Sequence, residues 1–169
     1  MKLRTLVLVF LFLGSATAWA QDASLKKAQE AFDQAQVQYL QGNYDDAAAG
    51  FKAAYDARPF PQFLYNIGAS YHIKGKKNAR VDAYEKAVEY YDRYLEEDPE
   101  ASDKAKVEKS IKVLKAEIER LKKDPPKGSN DTPSKEVQTL GDAKIRGLMV
   151  IESEPQGAAI YIDGKEKGE

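Results

Sequence analysis

Cysteine is absent from this chain, and histidine occurs once, as His72. The first absence excludes disulfides, thiolate metal ligation, a cysteine nucleophile and a lipid anchor on an N-terminal cysteine. The second leaves a metal site without its usual second imidazole. It offers a triad only His72, with Ser70 two residues away, a spacing at which helical side chains do not face each other. Basic charge is not in excess: 26 lysines and arginines stand against 27 aspartates and glutamates, for a formal net charge of −1. Nothing therefore drives counterion release from nucleic acid, and no nucleic-acid partner is expected. Gly-rich phosphate loops and Walker or Rossmann spacings are missing. The acidic groups Asp45-Asp46 and Glu96-Glu97-Asp98 sit at expected helix ends or on exposed faces and read as solvated charge. These absences argue against an enzyme. No catalytic residue, cofactor or metal ligand is assigned.

Long apolar runs are also scarce. The one that stands out, Leu6 to Leu13, is eight residues, against the roughly 20 a spanning helix requires. Lys2 and Arg4 precede it, and Ala18-Trp19-Ala20 comes after it with a small-x-small pattern. Together these form a secretory signal over residues 1–20, with cleavage expected after Ala20 and a retained N-terminal anchor as the alternative. Loss of Lys2 and Arg4 takes the basic count from 26 to 24 against 27 acidic groups, a net of −3. No stable membrane span is expected after cleavage. Export without lipidation favours the periplasm, with the cell surface or secretion as alternatives.

From Ala23 onward the sequence is helical in period. Ala28, Ala31, Phe32, Ala35 and Tyr39 make one apolar stripe, and Tyr44, Ala47, Phe51, Ala54 and Tyr55 make another. Gly42-Asn43 separates them as a turn, and Pro59-Phe60-Pro61 ends the second. The pattern returns in Leu64-Tyr65-Asn66-Ile67-Gly68-Ala69-Ser70-Tyr71, with Lys74-Gly75-Lys76 as the expected turn. Ala87 to Leu95 then lies on a further helix closed by Asp98-Pro99. Ala31 to Leu64 and Gly42 to Gly75 are each 33 residues apart, whereas Ala47 to Ala87, Phe51 to Tyr91 and Pro59 to Pro99 are each 40. A seven-residue insertion between Gly75 and Ala87 reconciles the two spacings. Its sequence reads as extra helix lengthening the hairpin's second arm by about two turns. Small residues at Ala35, Ala47, Gly68 and Ala87 suit close approach of paired helices. The ten tyrosines read mainly as packing, with a ligand-binding stripe as the alternative.

The pattern Leu64-x-x-Ile67-Gly68-x-x-Tyr71, Gly75, Ala87-x-x-x-Tyr91, Asp98-Pro99 resembles the tetratricopeptide repeat family, whose period is roughly 34 residues. Gly42, Tyr44, Ala47, Phe51, Ala54 and Pro59 match it in the first unit. The first unit departs at Ala31 and at Gln34-Ala35, where the family prefers a large aromatic and Leu-Gly. The resemblance implies stacked antiparallel hairpins whose first helices line a groove for a protein or peptide. By register that groove takes Gln29, Phe32, Gln36, Tyr39, Gln62, Tyr65, Ala69 and His72. It contains no lysine or arginine clamp for a C-terminal carboxylate, so an extended peptide on an aromatic-and-amide surface is the expected ligand.

Pro99 to Asp103 reads as a helix start with acidic residues in its first turn. Val107, Ile111, Leu114, Ile118 and Leu121 come next at heptad spacing. The stripe is expected to be the inner face of a capping helix. A self-association seam over 101–123 is the alternative. Residues 124–144 are a linker by composition. Leu148 to Ser153, a turn at Glu154 to Gly157, and Ala158 to Ile162 before Asp163-Gly164 read as antiparallel β structure. Ile151, Ser153, Pro155, Gly157, Ala158, Tyr161, Ile162, Asp163 and Gly164 resemble the PEGA domain family, with Gln156 in place of its glutamate. The family's domain is longer than 145–169. The expectation is a truncated domain or a poorly ordered hairpin, with docking on the helices as the alternative.

The fold expected is mainly α: signal peptide 1–20, helical hairpins with a capping helix over 21–123, linker 124–144, and a partial β domain over 145–169. The expected function is an exported envelope scaffold that binds protein through the groove. The alternative is a cell-surface module that attaches to envelope polymer through the PEGA-like part, as that resemblance implies.

Overall fold

The computed structural model describes residues 15–125, 144–147 and the backbone strands at 160–162 and 165–168. Five helices make up the body: α1 (Ser15–Gln41), α2 (Tyr44–Ala57), α3 (Pro61–Asn78), α4 (Val81–Glu97) and α5 (Lys104–Lys123). The expected cleavage point after Ala20 falls inside α1. No helix among the described residues is long and apolar enough to cross a membrane. Two strands, β1 (Ile160–Ile162) and β2 (Lys165–Gly168), pair antiparallel with Tyr161 opposite Glu166. The strand expected at 148–153 and its turn at 154–157 lie outside the described residues.

Local chemistry sets the helix boundaries. Gly42 adopts φ +84. Its N–H donates to the Tyr39 carbonyl at 3.0 Å, while the Asn43 N–H reaches back to the Gln38 carbonyl at 2.9 Å. These two bonds form a Schellman motif, which satisfies the last carbonyls of α1 and needs a residue free to take the left-handed conformation. Asp45 and Asp46 then occupy the first turn of α2, where the helix dipole favours them. Pro61 opens α3 at its first position, where its missing N–H costs nothing.

Consecutive helices run antiparallel. Phe32 lies against Phe51 at 5.6 Å between ring centroids, and Tyr39 against Tyr44 at 5.5 Å. At Gly50 an added Cβ would come within 2.8 Å of the Ala35 Cβ, so α1 and α2 touch nearly backbone to backbone. The second pair repeats this along its length, with Gly68 under Tyr91 and Gly75 under Tyr84. Phe63 stands 5.9 Å from Phe32 and ties α3 to α1. On the other side Tyr55 of α2 donates to the Glu97 carboxylate of α4 at 2.6 Å, beneath Arg93. The result is two layers, α1 with α3 and α2 with α4. Each large apolar side chain buried in such a core contributes about 1.5–3 kcal/mol.

The turn in the second hairpin is not at Lys74-Gly75-Lys76. Gly75 is buried within α3, and the chain turns at Ala79, whose φ of 48 puts it in the left-handed region, and Arg80. By register, α3 runs four residues past the position equivalent to the end of α1 at Gln41, and α4 starts three residues before the position equivalent to the start of α2 at Tyr44. The seven-residue insertion is thus divided between both arms and does not fall on the second alone. Gly75 is a contact glycine. A Cβ there would stand 2.5 Å from the Tyr84 ring.

α5 begins at Lys104, with Asp103 as its N-cap residue, so Pro99 to Asp103 is turn and not first-turn helix. Val107, Ile111, Leu114, Ile118 and Leu121 are all buried. Half-exposed Lys115–Asp92 and Lys122–Glu85 ion pairs bridge α5 to α4 at the surface. The heptad stripe is therefore covered within the chain.

Candidate protein-interaction groove

The eight residues expected to line a groove do not share one exposed surface. Gln29 is exposed, and Gln36, Tyr39, Gln62 and Tyr65 are half-buried. Phe32, Ala69 and His72 are core residues, 4%, 0% and 2% exposed. The reason is position. α3 is the central helix, covered by α1, α2 and α4, and ten of its 18 residues are buried. Ala69 and His72 have rotated into that interior. His72 Nδ1 lies 3.3 Å from the Tyr91 hydroxyl, and its ring meets Tyr91 edge-on. Phe32 joins Phe51 and Phe63.

Tyr65 is different, because a distant stretch of the chain reaches it. Residues Lys144 to Gly147 lie across the C-terminal end of α4 and the starts of α3 and α5. Asn66, fully buried, holds this stretch by its backbone. The Arg146 N–H donates to Asn66 Oδ1 at 2.7 Å, and Asn66 Nδ2 donates to the Arg146 carbonyl at 3.0 Å. One side-chain amide thus satisfies both main-chain groups of a single extended residue, as a neighbouring β-strand would. Ile145 packs against the helical core. Residues 144–147 thus lie against the helical body.

The Arg146 side chain is held just as closely. Its guanidinium carbon is 4.0 Å from the Tyr65 ring centroid and 4.8 Å from that of Tyr94. Nη1 donates to the Tyr94 hydroxyl at 2.7 Å, and that hydroxyl donates on to Asp103 Oδ1 at 3.0 Å. Nη2 pairs with the other Asp103 oxygen, Oδ2. The three bonds close a ring of guanidinium, phenol and carboxylate, in which each bond polarises the next. Tyr65 is itself braced by Tyr91 at 5.4 Å and by Tyr94, edge-on, at 5.6 Å.

Burial sets the electrostatics. Desolvation raises the Tyr91 phenol well above its ordinary value, with the neighbouring Tyr65 and Tyr39 phenols adding to the rise. Tyr94 is raised for the same first reason, with the Arg146 charge pulling the other way. Both phenols are neutral at physiological pH. The negative charge in direct contact with the guanidinium is the Asp103 carboxylate.

Asn66, Tyr94 and Asp103 were not among the residues expected at a site. Asn66 is buried, and register reasoning looks for surface positions. Tyr94 sits in a tyrosine-rich helix that reads as packing, and Asp103 reads as a helix start. The one available signal was the Tyr65-Asn66 pair at the beginning of a central helix. Among the described residues no group of histidine, aspartate and glutamate is arranged to hold a metal ion. No protein-family model matches this chain, and neither curated proteins nor solved structures give a match.

Proposed function

We propose that the chain is an exported scaffold of the bacterial envelope, periplasmic in location, that holds a partner protein through the face around Tyr65 and Asn66. The observation that carries this reading is the pair of hydrogen bonds between the buried Asn66 amide and the backbone of Arg146. A buried amide aimed at main-chain groups recognises an extended polypeptide whatever its sequence, and ringed aromatics supply the apolar contact that extended peptides need. The stacked hairpins and their resemblance to tetratricopeptide repeats support the same function, as does the N-terminal address segment for the location.

The test is affinity capture from a bacterial envelope extract, with the chain lacking its first twenty residues as bait and a Tyr65→Ala/Asp103→Asn double variant as control. A protein retained by the first bait and lost from the second is the expected result. Equal recovery by both baits would move the function away from this face.

A further inference from the structure

We propose that Tyr65, Tyr94, Asp103 and the Asn66 clamp form a recognition site for an arginine in an extended peptide, occupied in cis by Arg146 until an arginine-bearing segment of a partner displaces it. The inference deepens the scaffold reading and rests on it. Three observations give the site its chemistry.

First, the side-chain pocket fits a guanidinium and not an ammonium. Arg146 presents one nitrogen to the Tyr94 hydroxyl, another to Asp103, and its flat face to the Tyr65 ring. A lysine is a point charge on a stem. It cannot make a planar two-nitrogen fork and stack at the same time. Only about a quarter of the Arg146 and Asp103 side chains is exposed, so the pair is partly desolvated and its geometry matters more than a surface ion pair's would.

Second, the backbone clamp reads no sequence. The Asn66 amide hydrogen-bonds the main-chain N–H and carbonyl of residue 146. Whatever specificity the site has comes from the side chains on either side. Ile145 is half-buried against the core, while Lys144 and Gly147 are exposed. A Cβ added at Gly147 would meet nothing within 4 Å. The ligand class is therefore apolar-Arg-any, in an extended conformation.

Third, the occupant comes from outside the five helices. Residues 144–147 belong to none of α1 to α5, and the stretch that leads to them, 124–144, is a linker by composition. A short flexible link places its attached segment at an effective concentration on the order of 1 mM. If the cis contact has a dissociation constant one tenth of that concentration, on the order of 100 µM, it weakens a competing peptide by about tenfold. The tether sets a threshold that a weak or non-arginine peptide fails to cross.

The probe is a capped, fluorescently labelled peptide with the sequence of residues 142–149, titrated into the full chain and into its Arg146→Gln variant. The variant is expected to bind the peptide about tenfold more tightly than the wild type. Changing the peptide's arginine to lysine or citrulline is expected to cost at least about tenfold, and changing its glycine to alanine is expected to cost nothing. Asp103→Asn added to Arg146→Gln should remove the gain, with helical circular dichroism unchanged in every variant. Equal affinity for wild type and variant, equal affinity for arginine and lysine peptides, or no binding by the variant would each overturn the proposal. Those results leave the envelope-capture experiment free to succeed, so loss of the arginine site and loss of the scaffold reading are distinguishable.

Discussion

Replacing Gly75 by alanine sets two effects of known size against each other. Gly75 lies inside α3, where alanine is favoured over glycine by about 1 kcal/mol. An added Cβ, however, would stand 2.5 Å from Cδ1, 2.7 Å from Cε1 and 3.0 Å from Cγ of Tyr84. Carbon atoms rest comfortably at roughly 3.5–4.0 Å, so the ring must retreat by about 1 Å. It has nowhere to go. Tyr84 is 0% exposed, and the crowding reaches Cγ, at the root of the ring, not only a free end. Overpacking of this kind costs about 1–3 kcal/mol. Steric cost outweighs propensity, and Gly75→Ala is expected to destabilise by up to about 2 kcal/mol, lowering Tm by up to roughly 10 °C for a domain of this size. The assay is thermal unfolding by circular dichroism in a double-mutant cycle with Tyr84→Leu. In the Tyr84→Leu background the same glycine change should be neutral or stabilising, because the obstructing ring is gone. A Gly75→Ala chain more stable than wild type, or an equal loss in both backgrounds, would refute the reasoning. The second result would mean that Gly75 is needed for a turn after all.

Burial sets the other expectations. Leu114→Ala, at a fully buried position of α5, should cost about 2–5 kcal/mol in urea unfolding, and the chain should scatter light as a monomer at micromolar concentration. A dimer that dissociates on this change would return the heptad stripe to a seam. The raised Tyr84, Tyr91 and Tyr94 phenols, each displaced chiefly by desolvation, predict alkaline instability. Their folded values lie above the unfolded value of about 10, so their contribution is complete below that pH and is lost as pH rises through the folded values. Tyrosinate absorbance should show a late group of tyrosines that appears together with loss of helicity. Uniform titration near pH 10 with the helices intact would contradict this.

The hairpins were legible because their code is local. Ala28, Phe32 and Ala35 in α1, and Ala47, Phe51 and Ala54 in α2, recur at helical spacing and are buried. The inner face of α5 announced itself in the same way. The second turn was misread because a glycine between two lysines looks like a loop, whereas this glycine serves a ring packed against it. The true turn at Ala79 carries no glycine or proline to mark it, only a left-handed alanine. The face that meets Arg146 was legible only at Tyr65. Tyr65 came from register, but its neighbours Ala69 and His72 turn inward because α3 is enclosed by three helices. Arg146 was out of reach: it is 80 residues from Asn66, and no periodicity links a linker-proximal arginine to a buried amide.

Asn66 and the Tyr65–Tyr94–Asp103 ring hold the segment around Arg146 against the helices. Amide hydrogen exchange at Arg146, read by NMR on the full chain, tests it most directly. The Arg146 N–H should exchange about ten- to hundredfold more slowly than an unstructured amide, corresponding to about 1.4–3 kcal/mol of local protection, while the exposed Gly147 amide exchanges freely. Tyr65→Ala should erase the difference. An Arg146 amide that exchanges at the rate of an unstructured chain would contradict the account.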